Sequence, residues 1–361
     1  MPNLDNPSIK ARTGPRWWIV AAALSIIALI YAGFWFYLAL NTRQGVVQWI
    51  EQQRLRGFTI RYDSLEATGF PFSIKLELTN PGFGAPTAIN PWGWEGAKLQ
   101  LAIKPWDMNN IQARTVGSQM LAFPVNGGMQ AFTGEVQEAL GYFRLAGGNP
   151  EKLRIVLSGV DLKPEKTGLG PIEISAADFA LEQLENGTVN YQTPSWSLEG
   201  SAGAFSLPWL RKSPLGDNVR RLVIDGRLMG SLDTDPLIES LENWRDSGGT
   251  IEVRKLSVVH GPLKISTDGT LALDGLLQPI GALTARVEGF FETVNALQKL
   301  GIVKARDAIT AKMVLGVLAR KPKGGGPSTL NLALTVQERK VYAGPVELTE
   351  IPKIDWRALA R

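Results

Sequence analysis

The pattern of apolar and polar residues changes abruptly about forty positions into the chain. Residues Trp17 to Leu40 read WWIVAAALSIIALIYAGFWFYLAL, with no charge among them. As a helix they extend about 36 Å, enough to cross a hydrocarbon core of roughly 30 Å with some tilt, so a transmembrane helix is predicted here. Trp17 and Trp18 mark one interface and Trp35 and Tyr37 the other, as in an aromatic belt. Beyond the span the period becomes two. Phe72, Ile74, Leu76 and Leu78 alternate with Ser73, Lys75, Glu77 and Thr79. Leu99, Leu101 and Ile103 alternate with Lys98, Gln100 and Ala102, and Leu330, Leu332, Leu334 and Val336 with Thr329, Asn331, Ala333 and Thr335. Shorter alternations surround Ile155, Ile172, Phe179, Trp196, Ile224, Ile265, Leu271 and Val287. Such alternation puts apolar side chains on one face of antiparallel strands, unlike the continuous apolar runs of a buried parallel sheet. Asn80-Pro81-Gly82, Asp268-Gly269 and Asp274-Gly275 read as punctuation between runs.

Helical spacing is rarer. It predicts helices over Thr42–Arg56, over a segment with Phe132, Val136, Leu140 and Phe143, from Pro236 to about Ser247, over Phe291–Leu300 and over Asp307–Leu318. Asp235 before Pro236 reads as an N-cap followed by proline in the first helical position. A shift of 191 residues lays Val46, Val47 and Ile50 on Leu237, Ile238 and Leu241. The same shift lays Gly57 on Gly248, Ile60, Tyr62 and Leu65 on Ile251, Val253 and Leu256, and Pro71 on Pro262. Each segment then reads helix, glycine stop, strand, proline turn, strand, which suggests a two-unit internal repeat. The expected fold is mostly β (α+β): a curved antiparallel sheet with a few helices, preceded by one transmembrane helix. The expected divisions are a tail at 1–16, a signal anchor at 17–40, and β-rich units at 41–230 and 231–361.

Lys10, Arg12 and Arg16, opposed only by Asp5, place the N-terminus in the cytoplasm by the positive-inside rule, although Arg43, Arg54 and Arg56 weaken the bias. The apolar run exceeds the 7–15 residues of a cleaved signal, so an uncleaved anchor is expected. The 361 residues carry a net charge of +4 and no dense basic run, which disfavours nucleic acid as a partner. With no cysteine, disulfides, thiolate metal sites and cysteine nucleophiles are excluded, and the single histidine, His260, excludes multi-histidine metal sites. His260 has no nucleophile elbow to serve. Asp233-Thr234-Asp235 reads as a helix cap, Gly324-Gly325-Gly326 as a linker without the Gly-Lys-Ser/Thr of a phosphate loop, and Gly168 to Pro171 as a turn. No catalytic, metal or cofactor site is expected.

Leu65-Glu-Ala-Thr-Gly-Phe-Pro-Phe72, running into the strand that ends at Thr79, and the closing stretch from Val336 through Tyr342 to Pro352 and Trp356 resemble the bacterial family called domain of unknown function 2125. The resemblance implies an inner-membrane anchor and a periplasmic domain, and it supplies no catalytic residues. More loosely, an anchor joined to a β-rich domain is similar to AsmA-like envelope proteins, which implies lipid traffic. The functional expectation is a single-pass protein of the bacterial inner membrane that binds or transfers lipid, with the bilayer and an acyl lipid as partners. The alternative is a non-catalytic assembly or scaffold factor that binds other envelope proteins. The expected apolar groove is lined by Phe72, Ile74, Leu76, Leu78, Leu330, Leu332, Leu334 and Val336.

Overall fold

A computed structural model describes residues 17–88, 90–147, 149–184, 191–232, 236–321 and 325–356. Its first element is one unbroken helix, α1 (Trp17–Leu55). The span and the amphipathic helix expected after it are therefore continuous, with no proline to separate them, and Gly45 lies within the unbroken helix. The N-terminal part of α1 leaves its large apolar side chains uncovered, Leu24, Leu29 and Ile30 among them, and is long and apolar enough to cross a membrane. Its C-terminal part packs on the sheet.

The sheet starts with short strands β1 (Thr59–Arg61), β2 (Ser64–Thr68), β3 (Ile74–Thr79) and β4 (Gly82–Ala85). Long strands follow: β5 (Trp92–Lys104), β6 (Asp107–Val125), β7 (Gly128–Ala146), β8 (Asn149–Pro164) and β9 (Ile172–Gln183). Next come β10 (Pro194–Ala202), β11 (Phe205–Ser206) and, after a 3₁₀ turn at Pro208–Lys212, β12 (Asn218–Met229). Helix α2 (Leu237–Asp246) precedes β13 (Thr250–His260), β14 (Leu263–Leu273) and β15 (Pro279–Glu288). A helical pair, α3 (Phe290–Lys299) and α4 (Ala305–Leu318), leads to β16 (Thr329–Gln337), β17 (Lys340–Ala343) and β18 (Val346–Glu350).

Among the described residues, all eighteen strands belong to one sheet and every pairing is antiparallel. The chain runs through it as a meander. Among the described residues it departs from this locally: β1 pairs with β4, β3 and β4 share β5 as a partner, and β10 and β11 lie together between β9 and β12. The sheet crosses the 230/231 boundary without interruption, because β12 pairs with β13 over their whole length. Open sheets this wide twist and curl.

Helices seat on the sheet at a few places. Trp35, Ala39, Val46 and Val47 of α1 pack with Leu65, Ile74, Leu76 and Leu78. Leu241 and Trp244 of α2 pack with Leu228 and Leu273, and the Trp244 indole N–H donates to Met229 O at 2.8 Å. Phe290 of α3 and Leu315 of α4 cover Ala285, Val287 and Leu330.

The two segments related by 191 residues share one element order. Helices α1 and α2 end in the same motif: Gly57 N–H donates to Arg54 O and Phe58 N–H to Gln53 O, as Gly248 N–H does to Arg245 O and Gly249 N–H to Trp244 O. Both glycines take the left-handed conformation this stop requires, at φ +92° and +85°. The gap between β1 and β2 at Tyr62–Asp63 falls where β13 is irregular, between Val253 and Leu256. The hairpins differ in the turn: His260 pairs with Leu263 across Gly261-Pro262, whereas Thr68 pairs with Lys75 across a longer loop that holds Pro71.

Three local expectations are corrected. The segment with Phe132, Val136, Leu140 and Phe143 is strand β7, not a helix. Asp268-Gly269 lies inside β14, where a Cβ on Gly269 would meet Ala282 O at 2.3 Å; glycine here allows close strand approach rather than a turn. Pro236 caps α2 from outside, and the helix begins at Leu237. Lys10, Arg12, Arg16, Asp233, Thr234, Asp235 and Gly324 lie outside the described residues.

Candidate functional site

Strand register brings the alternating apolar residues together. Leu65, Leu78, Leu99, Thr115, Ala139, Leu157, Ala177, Ala202, Leu222, Val258, Ile265, Val287 and Leu330 stand opposite one another strand by strand from β2 to β16. Two residues along each strand, a second row includes Leu76, Leu101, Gly141, Ile155, Phe179, Gly200, Ile224 and Leu256. A third row runs from Ile74 and Ile103 through Ile111, Phe143, Leu153, Leu181 and Leu198 to Leu334. No charged residue interrupts any of the three. With neighbouring strands about 4.8 Å apart, this stripe is roughly 60 Å long.

The helices cover only its ends. Ile74, Leu76 and Leu78 are at most 1% exposed beneath α1, and Leu330 is buried beneath α3 and α4. Between these ends, Phe143, Ile155, Leu181 and Leu198 are 39%, 41%, 38% and 41% exposed. Glycines in the second row let two rings lie close against the sheet. A Cβ on Gly200 would meet Phe179 Cδ1 at 2.1 Å, and one on Gly141 would meet Phe143 Cε2 at 3.0 Å. The rings thus occupy the space that side chains at these positions would fill, and they widen the apolar floor.

The opposite face is polar. Arg154 Nε and Nη2 donate to the Asp178 carboxylate at 2.9 and 2.6 Å, Lys152 pairs with Glu182 at 2.6 Å, and Lys98 with Glu77 at 2.8 Å. The hydrogen bonds from Arg154 hold the Asp178 carboxyl below the usual range, against a smaller opposing effect of partial burial. One face therefore prefers water, and the other loses from contact with it.

The groove expected at the two clearest alternating runs is filled there. Ile74, Leu76, Leu78, Leu330 and Val336 are buried, Leu332 and Leu334 are half-buried against the α3–α4 cluster, and Phe72 lies before β3 in the β2–β3 hairpin tip. The uncovered part of the same face belongs to β6–β12, and its residues Phe143, Leu153, Leu181 and Leu198 stand out only once register is known. The short alternations around Ile155, Ile172, Phe179, Trp196 and Ile224 are the sequence signal there. His260 Nε2 lies 2.8 Å from Gly216 O and ties the end of β13 to the loop before β12. A cavity of about 360 Å³ near Lys264, Glu288 and Phe290, and another of about 310 Å³ near Leu169 and Arg211, have charged residues in their walls and lie off the stripe.

The model of a family described as uncharacterized proteins conserved in bacteria, domain of unknown function 2125, matches residues 35–352. The chain belongs to this family. The match begins within α1 and ends beyond β18, so the DUF2125 region contains the whole sheet together with the helix segment that packs on it. No curated protein and no solved structure matches the chain.

Proposed function

We propose that this DUF2125 protein binds the acyl chains of membrane lipids along the uncharged stripe and transfers them within the bacterial envelope. In this reading α1 anchors it in the inner membrane, and the sheet stands in the periplasm. The observation that carries the reading is the exposed middle of the second and third rows, flanked by helix-covered ends and by a first row in which Ala177 and Ala202 are buried. Isolated exposed apolar residues are ordinary, but a contiguous apolar surface across many strands calls for an apolar occupant. An acyl chain laid on it would gain about 0.8 kcal/mol per buried methylene. The polar face keeps the domain soluble while the other is occupied.

The test is native mass spectrometry of full-length protein released gently from detergent. The wild type is expected to carry phospholipid, and Ile155→Asp with Leu198→Asp is expected to lose it while circular dichroism stays unchanged. A wild type free of lipid after extraction from native membranes would count against the reading.

A second reading rests on a different observation. Among the described residues, strand β18 pairs only with β17, and every residue in it is exposed, including Val346 and Leu348. Such an edge can accept a strand from another envelope protein. This supports the assembly-factor alternative, and loss of a co-purifying protein on Leu348→Pro would favour it.

A further inference from the structure

We propose that two hairpin tips beside α1 insert aromatic side chains into the headgroup boundary of the same bilayer that α1 crosses, and so hold the start of the apolar rows against that leaflet. The proposal rests on α1 being a membrane anchor, and the position of the tips along α1 is its main support. In the β2–β3 tip, Pro71 O accepts the Tyr31 hydroxyl at 2.6 Å, and Ser73 O accepts the Trp35 indole N–H at 3.1 Å. Tyr31 and Trp35 belong to the uncharged span. Counted from Trp17, the roughly 20 residues that a hydrocarbon core takes up end close to Phe36. The tip therefore stands level with the last turns of the span, not above them.

The side chains at this level suit that place. Phe72 is 73% exposed and Phe70 51%. Phe70 stacks on Phe36 with ring centres 6.2 Å apart and meets Trp35 edge-on at 5.5 Å. Phe36 is itself exposed, so the apolar surface of the span continues onto the tip without a polar break. The neighbouring β5–β6 tip adds exposed Trp106 and Met108, and it adjoins the first because Ile74 pairs with Ile103. Asp107, the acid in that tip, accepts a hydrogen bond from Asn110 at 2.8 Å. Exposed Lys75 and Lys104 lie near the two tips, where phosphate headgroups would meet them. The next tip at this end of the strands, from Ala146 to Asn149, has no aromatic residue. Both tips beside the anchor carry exposed aromatic residues, as interfacial aromatics should. The third apolar row begins at Ile74 and Ile103, directly behind the tips.

The chain has no cysteine, so a single introduced one takes a unique fluorescent label. The full chain is reconstituted into vesicles of phosphatidylethanolamine and phosphatidylglycerol, with labels at Phe72→Cys, Trp106→Cys, Leu29→Cys and Trp209→Cys in separate proteins. Labels at Phe72→Cys and Trp106→Cys are expected to shift to the blue and to be quenched more by spin labels near the headgroup than by deep ones. Leu29→Cys, in mid-span, should be quenched best by deep labels. Trp209→Cys, at the opposite ends of the strands, should emit as in water. If Phe72→Cys and Trp106→Cys behave like Trp209→Cys while Leu29→Cys is quenched, the proposal is overturned and the anchor stands. If Leu29→Cys also emits as in water, the anchor falls and the proposal falls with it.

Discussion

The covered ends and the open middle of the apolar face have the same chemistry and opposite surroundings. Leu76 and Ile155 stand in the same row, in strands of similar alternation. Leu76 lies under Trp35 and Ala39 of α1 and is 1% exposed, while Ile155 is 41% exposed. Strand pattern alone does not decide which part of a sheet becomes core. Cover decides it here: α1 and the α3–α4 pair lie over the two ends of the rows, α2 packs beyond the rows at Leu228 and Leu273, and Leu157 of the first row joins a buried cluster with Phe132 and Val160. An apolar strand in the middle is therefore not a failed core position, because its neighbours on both sides are equally apolar.

Substitutions along a single row test this contrast. Leu76→Gln has the largest expected effect. It removes a buried leucine, at about 2–5 kcal/mol, and leaves an amide without water or partner. That approaches the whole stability of a typical domain, so thermal melting should show the full-length protein largely unfolded. Leu332→Gln, half-covered by the α3–α4 cluster, should cost about 1–2 kcal/mol and lower the melting midpoint without abolishing the transition. Ile155→Asp should change stability by less than about 1 kcal/mol, because both states expose the position to water. A loss as large as that of Leu76→Gln would show that the middle is core after all.

The smallest effect belongs to the polar face. The Asp178 carboxyl is held below its ordinary value by hydrogen bonds from Arg154. A lowered folded-state value means that the contribution is present above the unfolded carboxyl's value of about 3.9 and disappears as pH falls through the lower folded-state value. Asp178→Asn should therefore flatten the acid limb of the stability curve slightly and leave pH 7 stability nearly unchanged, since the pair is solvent-screened. A marked loss at pH 7 would mean that the pair is more buried than its exposure indicates.

Strand type was legible wherever alternation is regular, as in β3, β5 and β16. Phe132, Val136, Leu140 and Phe143 misled because β7 does not keep one pleat from end to end. Gln137 and Gly159 fall out of the pairing between β7 and β8, and Gly159 takes φ +56°. Leu157 and Val160, three residues apart, consequently join the same apolar cluster. A strand that shifts its pleat once acquires spacings of three and four, and these imitate a helix. The candidate site was only partly readable for a related reason. Alternation shows that a strand has an apolar face, but the continuity of Leu157, Ala177, Ala202 and Leu222 depends on register between strands far apart in the chain. The helix cover over Leu76 is equally non-local, because α1 appears in the sequence as a membrane span and shows no sign of folding back over β3.

The absence of charge from the three rows also shapes an energy landscape. An acyl chain moving across the strands would leave one set of methyl and methylene contacts as it gained an equivalent set about 4.8 Å further on. Its depth in the well would change little from step to step, so no single position would trap it. On the proposed reading, displacement on such a floor would be one-dimensional diffusion with low barriers, and direction would have to come from the two ends. One carboxylate in the middle, as in Ile155→Asp, would raise a barrier at a single strand and divide the path in two. Passage from one end to the other would then stop.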